Sequence, residues 1–365
     1  MPSASAFSQA RMKFRHTAFI ELLERAVVEV MYGDGDYEKF KGHRLLAIDG
    51  TSLRLPNTEE TRKHFGFIEH LNGHGAALGG QVEAKMTVLY DVLNRIPLAA
   101  SLDKGRAYDL KASEVHLEKL QSQDLVLADR AFGSYRFFAG ILEKNANFVI
   151  RCKEKTYERY HRLFSTAGAK EVTVEIPKPS SLAGHDMLPA TLRLRFIRIV
   201  LSSGEVEVLA TSLLNKTRYP RSLFQELYFK RWRIETFFHI LKSRLSIDNF
   251  TGRTVESIYQ DVYSTLFISG LESIVTSEAD EELSRKKVQH PQKVNKAVAF
   301  HTIKNAIIEL IFEHPPGLDE KIKNLLLLNP TTIRPDRIRP PRPKVHSADN
   351  RRSLYFQRYA RKHSF

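Results

Sequence analysis

Two short apolar runs, each followed at once by an aspartate, place the strongest constraint on how this chain folds. Residues 45–48 precede Asp49, and residues 125–128 precede Asp129. Continuous apolar runs of this length are typical of strands that are buried on both faces of a sheet. The pattern therefore predicts two buried strands, each with a carboxylate at its C-terminal tip.

The rest of the chain mixes helical and strand-like patterns, which predicts the α/β class. Apolar residues recur at helical spacing in residues 1–43, 109–121, 134–144, 219–274, 299–312 and 318–328. Strand patterns occupy residues 86–93, 96–100 and 147–152. Asn94 and Arg95 indicate a hairpin between the first two of these strands. The glycines of residues 56–82 favour a loop.

Residues 153–214 differ from their surroundings, because polar and apolar residues alternate there with little helical pattern. Such alternation is typical of antiparallel strands. We therefore expect a β-rich insertion that divides the α/β core into two segments. A helical segment precedes the core, the second core segment includes C-terminal helices, and a basic Pro-rich tail follows. In chain order these five units are expected at residues 1–43, 44–152, 153–214, 215–330 and 331–365.

Charge points to the class of partner. The chain has 56 Lys and Arg against 42 Asp and Glu, a formal net charge of +14. Such an excess attracts polyanions, chiefly nucleic acid and less often an anionic membrane. Ribosome-associated proteins and proteins that are merely basic share this property, so charge alone leaves them open.

Other counts exclude several classes of protein. Cys152 is the single cysteine, so neither an intrachain disulfide nor a cysteine-based zinc site is possible. It follows an apolar run, which favours a buried strand residue over a nucleophile. No run of 18 apolar residues occurs, and the first residues lack the apolar core of a signal peptide. We expect a soluble cytoplasmic protein that is neither secreted nor embedded in a membrane.

The two aspartates suit a hard cation, because Mg²⁺ binds carboxylate oxygens held on rigid backbone. Neighbouring strands of one sheet would bring Asp49 and Asp129 together. An aspartate at a strand end is also a common turn residue, so each acid alone remains ambiguous.

A third acid lies in a segment with a helical pattern. On one continuous helix Tyr228, Arg231, Glu235 and Lys242 share a stripe of about 60°, apart from the apolar face. A lone acid among a phenol, a guanidinium and an ammonium suits DNA cleavage, with Glu235 on a metal and the cations on phosphates. A surface helix with an ordinary Arg231–Glu235 ion pair is the alternative.

Resemblance to a known family distinguishes these alternatives. The spacing Y-(2)-R-(3)-E-(6)-K at residues 228–242 resembles the hallmark of IS4-type insertion-sequence transposases, which include the Tn5 transposase group. Two further tracts, at residues 47–51 and 127–132, are similar to that family and occur in the same order. Ala131 stands where the family usually has glycine. The likeness extends over about residues 5–275, including the β-rich insertion.

The resemblance implies an RNase H-like mixed sheet flanked by helices, with the antiparallel insertion before the last catalytic helix. It implies a DDE transposase in which Asp49, Asp129 and Glu235 hold two Mg²⁺ or Mn²⁺ ions. These ions serve in-line attack on a phosphodiester by water or a 3′-hydroxyl. It also implies cut-and-paste transposition through a hairpin on the transposon end, with a homodimer acting on the DNA of the ends and target.

The same resemblance implies the DNA contacts. Tyr228, Arg231 and Lys242 are expected to grip phosphates near the cut, and Arg130 is a further candidate. Trp232, the single tryptophan, would stack on a displaced base, and core packing is the alternative.

The ends of the chain leave questions open. The family commonly has a longer region before the tract similar to residues 6–11, and that region binds transposon ends. We therefore expect a truncated end-binding region here. The tail from Arg334 is basic and Pro-rich, which is typical either of a phosphate-binding arm or of a solvated tail. Two other functions remain: a catalytically inactive DNA-binding remnant, and an RNase H-like metal nuclease without strand joining.

Overall fold

The centre of the molecule is one mixed β-sheet. The computed structural model describes residues 3–71, 77–153, 163–164, 170–201 and 203–334. Within these residues nine strands form the central sheet, and two short strands pair separately. In chain order the strands are β1 (Leu45–Leu55), β2 (Phe67–Leu71), β3 (Ala77–Asp91), β4 (Ile96–Lys104), β5 (Leu125–Ala128), β6 (Asn147–Arg151), β7 (Glu171–Pro177), β8 (Thr191–Val200), β9 (Val206–Thr211), β10 (Gln292–Lys293) and β11 (Thr331–Thr332).

Strand order confirms the expected fold class. Five strands form the core in the order β4-β3-β1-β5-β6. Strand β1 runs antiparallel to β3 and parallel to β5, and β5 runs parallel to β6. A central first strand with an antiparallel hairpin on one side and parallel strands on the other is the RNase H-like arrangement. The hairpin turn expected at Asn94 and Arg95 joins β3 to β4, and Arg95 has a positive φ of 63° there.

Helices cover both faces of this sheet. The α-helices in chain order are α1 (Ala4–Lys13), α2 (Thr17–Leu23), α3 (Glu29–Gly33), α4 (Glu59–Phe65), α5 (Asp109–Ser113), α6 (Tyr135–Glu143), α7 (Leu223–Phe229), α8 (Trp232–Ser243), α9 (Val255–Arg285), α10 (Lys296–Ile308) and α11 (Leu318–Leu328). π-helical turns at Glu24–Val28 and Glu309–Glu313 continue the helices before them, and 3-10 turns occur at Glu114–Lys119, Arg130–Phe132 and Ser180–Leu182.

Local sequence explains where several helices begin. Thr58, Ser134 and Thr254 each precede a helix with extended backbone, and each side chain accepts a hydrogen bond from a backbone N–H of the first turn. These bonds satisfy donors that the helix itself leaves unpaired. At the start of α9, Ser257 also accepts a bond from the backbone N–H of Thr254, completing a capping box.

Alternation along β1 divides the hydrophobic core in two. Leu45 and Ala47 point into one layer, together with the apolar face of α8. Leu46 and Ile48 point into the other layer, together with α6 and the N-terminal helices. Because successive side chains of a strand point to opposite faces, Asp49 continues the first series and Gly50 the second. Asp49 therefore faces the layer that contains α8.

Two expectations need correction. The glycines of residues 56–82 favour a loop, but α4, β2 and the first residues of β3 lie there. The apolar spacing of residues 109–121 predicts one helix, but α5 gives way to a 3-10 turn at Glu114. Glycine count and helical spacing do not reveal the tertiary contacts that favour strands in the first segment and a 3-10 turn in the second.

The β-rich insertion contributes strands to the central sheet itself. Strand β9 pairs antiparallel with β6 at the edge of the core, and β8 and β7 follow it outwards. The boundaries of the five units remain predictions, and the tail lies outside the described residues from residue 335 onwards. Among the described helices, none has both the length and the apolar character to cross a membrane.

Candidate active site

The two aspartates lie side by side on neighbouring parallel strands. Ile48 of β1 is in register with Ala128, the last residue of β5. Asp49 directly follows Ile48, and Asp129 directly follows Ala128. On both strands the residues two and four positions before the aspartate lie in the same core layer: Leu45 and Ala47 on β1, and Leu125 and Leu127 on β5. Period-two alternation therefore directs both carboxylates toward the same face of the sheet, the face that α8 covers.

Backbone hydrogen bonds hold each carboxylate near its own strand. Asp49 Oδ1 accepts a bond of 2.8 Å from the N–H of Gly50. Asp129 Oδ1 accepts one of 2.7 Å from the N–H of Ala131, so this side chain caps the 3-10 turn that follows β5. The second oxygen of each carboxylate is not engaged in these bonds.

The segment with the third acid is not one continuous helix. Helix α7 ends at Phe229 and α8 begins at Trp232, with a turn at Lys230 and Arg231 between them. The expected continuous helix is therefore wrong, although Tyr228, Arg231 and Lys242 still face the strands that precede or carry the aspartates. Contacts with the sheet accompany this turn, because Tyr228 reaches the end of β5 and Arg231 reaches Asp49 within β1.

Three side chains of this segment tie the helices to the strands that carry the aspartates. The buried Tyr228 hydroxyl donates to the carbonyl of Ala128, 3.3 Å away, directly before Asp129. Lys242 Nζ donates to the carbonyl of Ser52, 2.9 Å away on β1. Arg231 reaches Asp49 Oδ2 at 3.4 Å. Residues 228–242 thus contact both acid-bearing strands.

Glu235 is linked to Asp49 through Arg231. Arg231 Nη2 donates to Glu235 Oε1 at 2.8 Å, while Nη1 faces Asp49. The Arg231 side chain is only 8% exposed, and its Nε has no hydrogen-bond partner among the described residues. One buried guanidinium therefore bridges two of the three acids and keeps one donor uncommitted.

Electrostatics also couple the three carboxylates. Burial raises the pKa of Asp49 to about 6, and the negative charges of Asp129 and Glu235 add to that rise. The Gly50 N–H and Arg231 act in the opposite direction. A carboxylate with this environment is stabilised by any further positive charge placed beside it.

The comparisons with known proteins identify the family of the chain. A family model described as a transposase DDE domain matches residues 40–271, more than half of the chain. This chain belongs to the DDE transposase family. Transposase InsG for insertion sequence element IS4 of Escherichia coli (strain K12) is 23% identical over 273 residues, and the two results together assign the IS4 type. That match covers 73% of this chain and 60% of InsG, so the chain spans less than two thirds of this relative.

Among solved structures, this chain is similar to the piggyBac transposase in a cryo-EM synaptic complex with hairpin DNA. The identity is 12%, the TM-score is 0.44, and the match covers 78% of this chain and 57% of the other. The RNase H-like fold is assigned here from the strand order described above.

The DDE transposase family generally uses divalent metal ions, and the donor types of this chain suit them. Asp49, Asp129 and Glu235 supply hard oxygen donors, as Mg²⁺ and Mn²⁺ require. No three His, Cys, Asp or Glu side chains in the described part of the chain lie close enough to hold an ion as they stand. The Arg231 guanidinium lies between Asp49 and Glu235 and supplies a positive charge there.

The remaining sequence candidates lie around this centre. Arg130 is exposed on the 3-10 turn directly after Asp129. Trp232 is 51% exposed, with the Arg231 guanidinium 5.2 Å from its ring, so it is not a core residue. DNA contacts by Arg130, Trp232, Tyr228, Arg231 and Lys242 stay predictions.

Sequence reasoning missed one pair of charged residues beside the centre. Asp109, at the start of α5, lies so close to Gly50 that a Cβ there would collide with its carboxylate. Lys85 of β3 pairs with Asp109 at 2.8 Å. The glycine directly after Asp49 was the available signal, because glycine in a strand often marks a close approach by another group.

Proposed function

We propose that this protein is a transposase that cleaves DNA at insertion-sequence ends and joins the freed end to a target. The observation that carries the proposal is the meeting of Asp49 and Asp129 on adjacent parallel strands, with Glu235 linked to Asp49 by Arg231. Membership of the DDE family supports the assignment of these three residues as the catalytic acids.

In this proposal Asp49, Asp129 and Glu235 hold two Mg²⁺ or Mn²⁺ ions. Such ions lower the pKa of an attacking water or hydroxyl and stabilise the leaving oxygen in an in-line displacement. The protein's own groups position the DNA. Arg231 changes partners from the acids to a phosphate, which a guanidinium can bind with two parallel N–H bonds. Lys242 and Arg130 bind neighbouring phosphates.

Hairpin formation and pairing of ends belong to the same proposal. Trp232 would stack on a base that leaves the duplex when a hairpin forms, and its exposure beside Arg231 supports this role. Cutting two ends together calls for a homodimer on DNA, and the family likeness supports this assembly. The DNA of the host nucleoid, in the cytoplasm, is the expected substrate.

A plasmid assay tests cleavage and joining separately. Purified protein with Mg²⁺ or Mn²⁺ is expected to nick or linearise supercoiled plasmid and to link a labelled oligonucleotide through its 3′-hydroxyl to plasmid DNA. Asp49→Asn, Asp129→Asn and Glu235→Gln are each expected to abolish both reactions. Glu226→Gln is the matched control, because Glu226 is exposed on α7 and pairs with Lys230 four residues on.

The outcomes discriminate between the functions. Cleavage without any joined product would support the alternative of a nuclease. DNA binding without cleavage or joining would support the inactive remnant. Full activity in all three acid variants would refute the site assignment.

A further inference from the structure

An exposed loop that packs against β1 at Gly50 has no role in the function proposed so far. It extends from the end of β4 into α5 and comprises residues 104–111. The Tyr108 side chain is 84% exposed, one of the most exposed large side chains in the described part of the chain. Lys104, Arg106 and Lys111 are exposed around it.

The loop is fixed in place although its side chains reach solvent. The N–H of Gly105 donates to the carbonyl of Phe65 at 3.3 Å, and the N–H of Ala107 donates to that of Lys104 at 2.7 Å. The carbonyl of Tyr108 accepts from the N–H of Ala112 at 3.0 Å. A ring presented on such a backbone loses little conformational freedom when a ligand binds.

The same loop is tied to the strand that carries Asp49. Asp109, the neighbour of Tyr108, packs against Gly50, which follows Asp49 directly. Helix α5 also packs against the 3-10 turn after Asp129. Because Gly50 faces the layer opposite α8, the loop borders the two catalytic strands on the side away from residues 228–242.

Among the residues that the structure describes, the positive charges of the loop are not paired as they would be on an ordinary polar surface. Lys85 neutralises Asp109 in an ion pair of 2.8 Å. The cations Lys104, Arg106 and Lys111 have no salt bridge to any described residue, and no ring or cation contact covers Tyr108 within the described ranges. An aromatic ring with uncommitted cations on both sides matches the requirements of a nucleic-acid strand with an unstacked base.

We propose that residues 104–111 bind DNA on the face of the sheet opposite the catalytic carboxylates, next to Gly50, with Tyr108 stacking on an unpaired base and Arg106 holding an adjacent phosphate. This inference rests on the proposed function, because it assigns the loop to the DNA that occupies the proposed cleavage site. It adds a second DNA-binding element on the face of the sheet that residues 228–242 do not cover. The unpaired base belongs either to the element end or to the target.

Fluorescence anisotropy without divalent metal tests the loop independently of catalysis. The probes are a fully paired duplex, the same duplex with one frayed end, and the same duplex with an internal bubble, each with 2-aminopurine at the same position, unpaired in the last two. Tyr108→Ala is expected to bind at least one of the frayed and bubble probes at least about fivefold more weakly than wild type, because it loses the stacking of one base. Tyr108→Phe, which keeps the ring, is expected to bind like wild type and to quench 2-aminopurine equally.

Matched controls isolate the site. Phe312→Ala removes a ring that is 74% exposed on the C-terminal helices and should leave all affinities unchanged. Arg106→Gln is expected to lower the salt slope of binding by about 1, because one phosphate contact is lost. Lys321→Gln, an exposed cation of α11, should not change that slope.

Each outcome decides a point. If Tyr108→Ala loses affinity only for the frayed probe, the stacked base belongs to the element end. If it loses affinity only for the bubble probe, the base belongs to the target. Equal losses of affinity for both probes mean that the loop accepts either base. Wild-type affinity and quenching in Tyr108→Ala would overturn the inference, as would a wild-type protein that binds none of the probes. Failure of the plasmid reactions with a positive Tyr108 result would overturn the proposed catalysis alone.

Discussion

Asp49 should make the fold less stable at neutral pH, and Asp49→Asn should therefore stabilise it. Burial and the charges of Asp129 and Glu235 raise the pKa of Asp49 from 3.8 to about 6. Between these two values the folded protein holds a proton that the unfolded chain releases, so stability falls as pH rises through this window. A shift of this size corresponds to a cost of up to about 3 kcal/mol once Asp49 is ionised.

Asparagine matches the shape of the protonated aspartate and does not ionise. The difference in unfolding free energy between the variant and wild type is expected to be near zero at about pH 4 and to grow between about pH 4 and 6. Above about pH 6 it should level off at roughly 1–3 kcal/mol in favour of the variant.

Urea denaturation without divalent metal measures this difference. Glu226→Gln is the control, since that acid is exposed and no gain is expected from it. A variant that is less stable than wild type at about pH 7.5, or a difference independent of pH, would refute the reasoning.

Further predictions concern catalysis and the core. Cleavage rate should rise with pH through about 6, because a protonated Asp49 is a poor metal ligand; a flat profile from about pH 5 to 8 would contradict this. Asp124→Ala should destabilise the fold by about 3–5 kcal/mol in urea, because it leaves the buried Arg44 without its partner at 2.7 Å, whereas Arg25→Ala in an exposed pair should change little. Gly270→Ala should cost about 1–3 kcal/mol, since a Cβ there would lie 2.8 Å from Val27 Cγ1, and an unchanged melting temperature would refute that packing argument.

The local sequence pattern was sufficient to predict those strands and helices whose formation depends on burial and on neighbouring residues. The run before Asp129 is the fully buried strand β5, and Cys152 is buried after β6 as expected. The run before Asp49 is the buried first part of β1, but the expectation that Asp49 ends its strand is wrong, because pairing with β3 continues to Leu55. The last two expected helices correspond to α10, its π-helical extension and α11. In each case one strong periodicity agrees with the tertiary environment.

Long-range contacts account for what the sequence could not reveal. The turn at Lys230 and Arg231 depends on bonds from Tyr228 to β5 and from Arg231 to Asp49, about 100 and 180 residues away. The spacing of apolar residues along a helix does not reveal contacts with residues so far away in the sequence. The position of Asp109 against Gly50 is likewise a product of tertiary packing, and only the glycine hinted at it.

The central claim is that Asp49, Asp129 and Glu235 form one metal site, and calorimetric titration of Mn²⁺ tests it most directly. The titration is made into wild type, Asp49→Asn, Asp129→Asn, Glu235→Gln and the control Glu226→Gln, each with and without a DNA duplex. The account predicts binding by wild type and the control that each of the three acid variants loses. Equal binding by all five proteins, or none by wild type even with DNA, would contradict it.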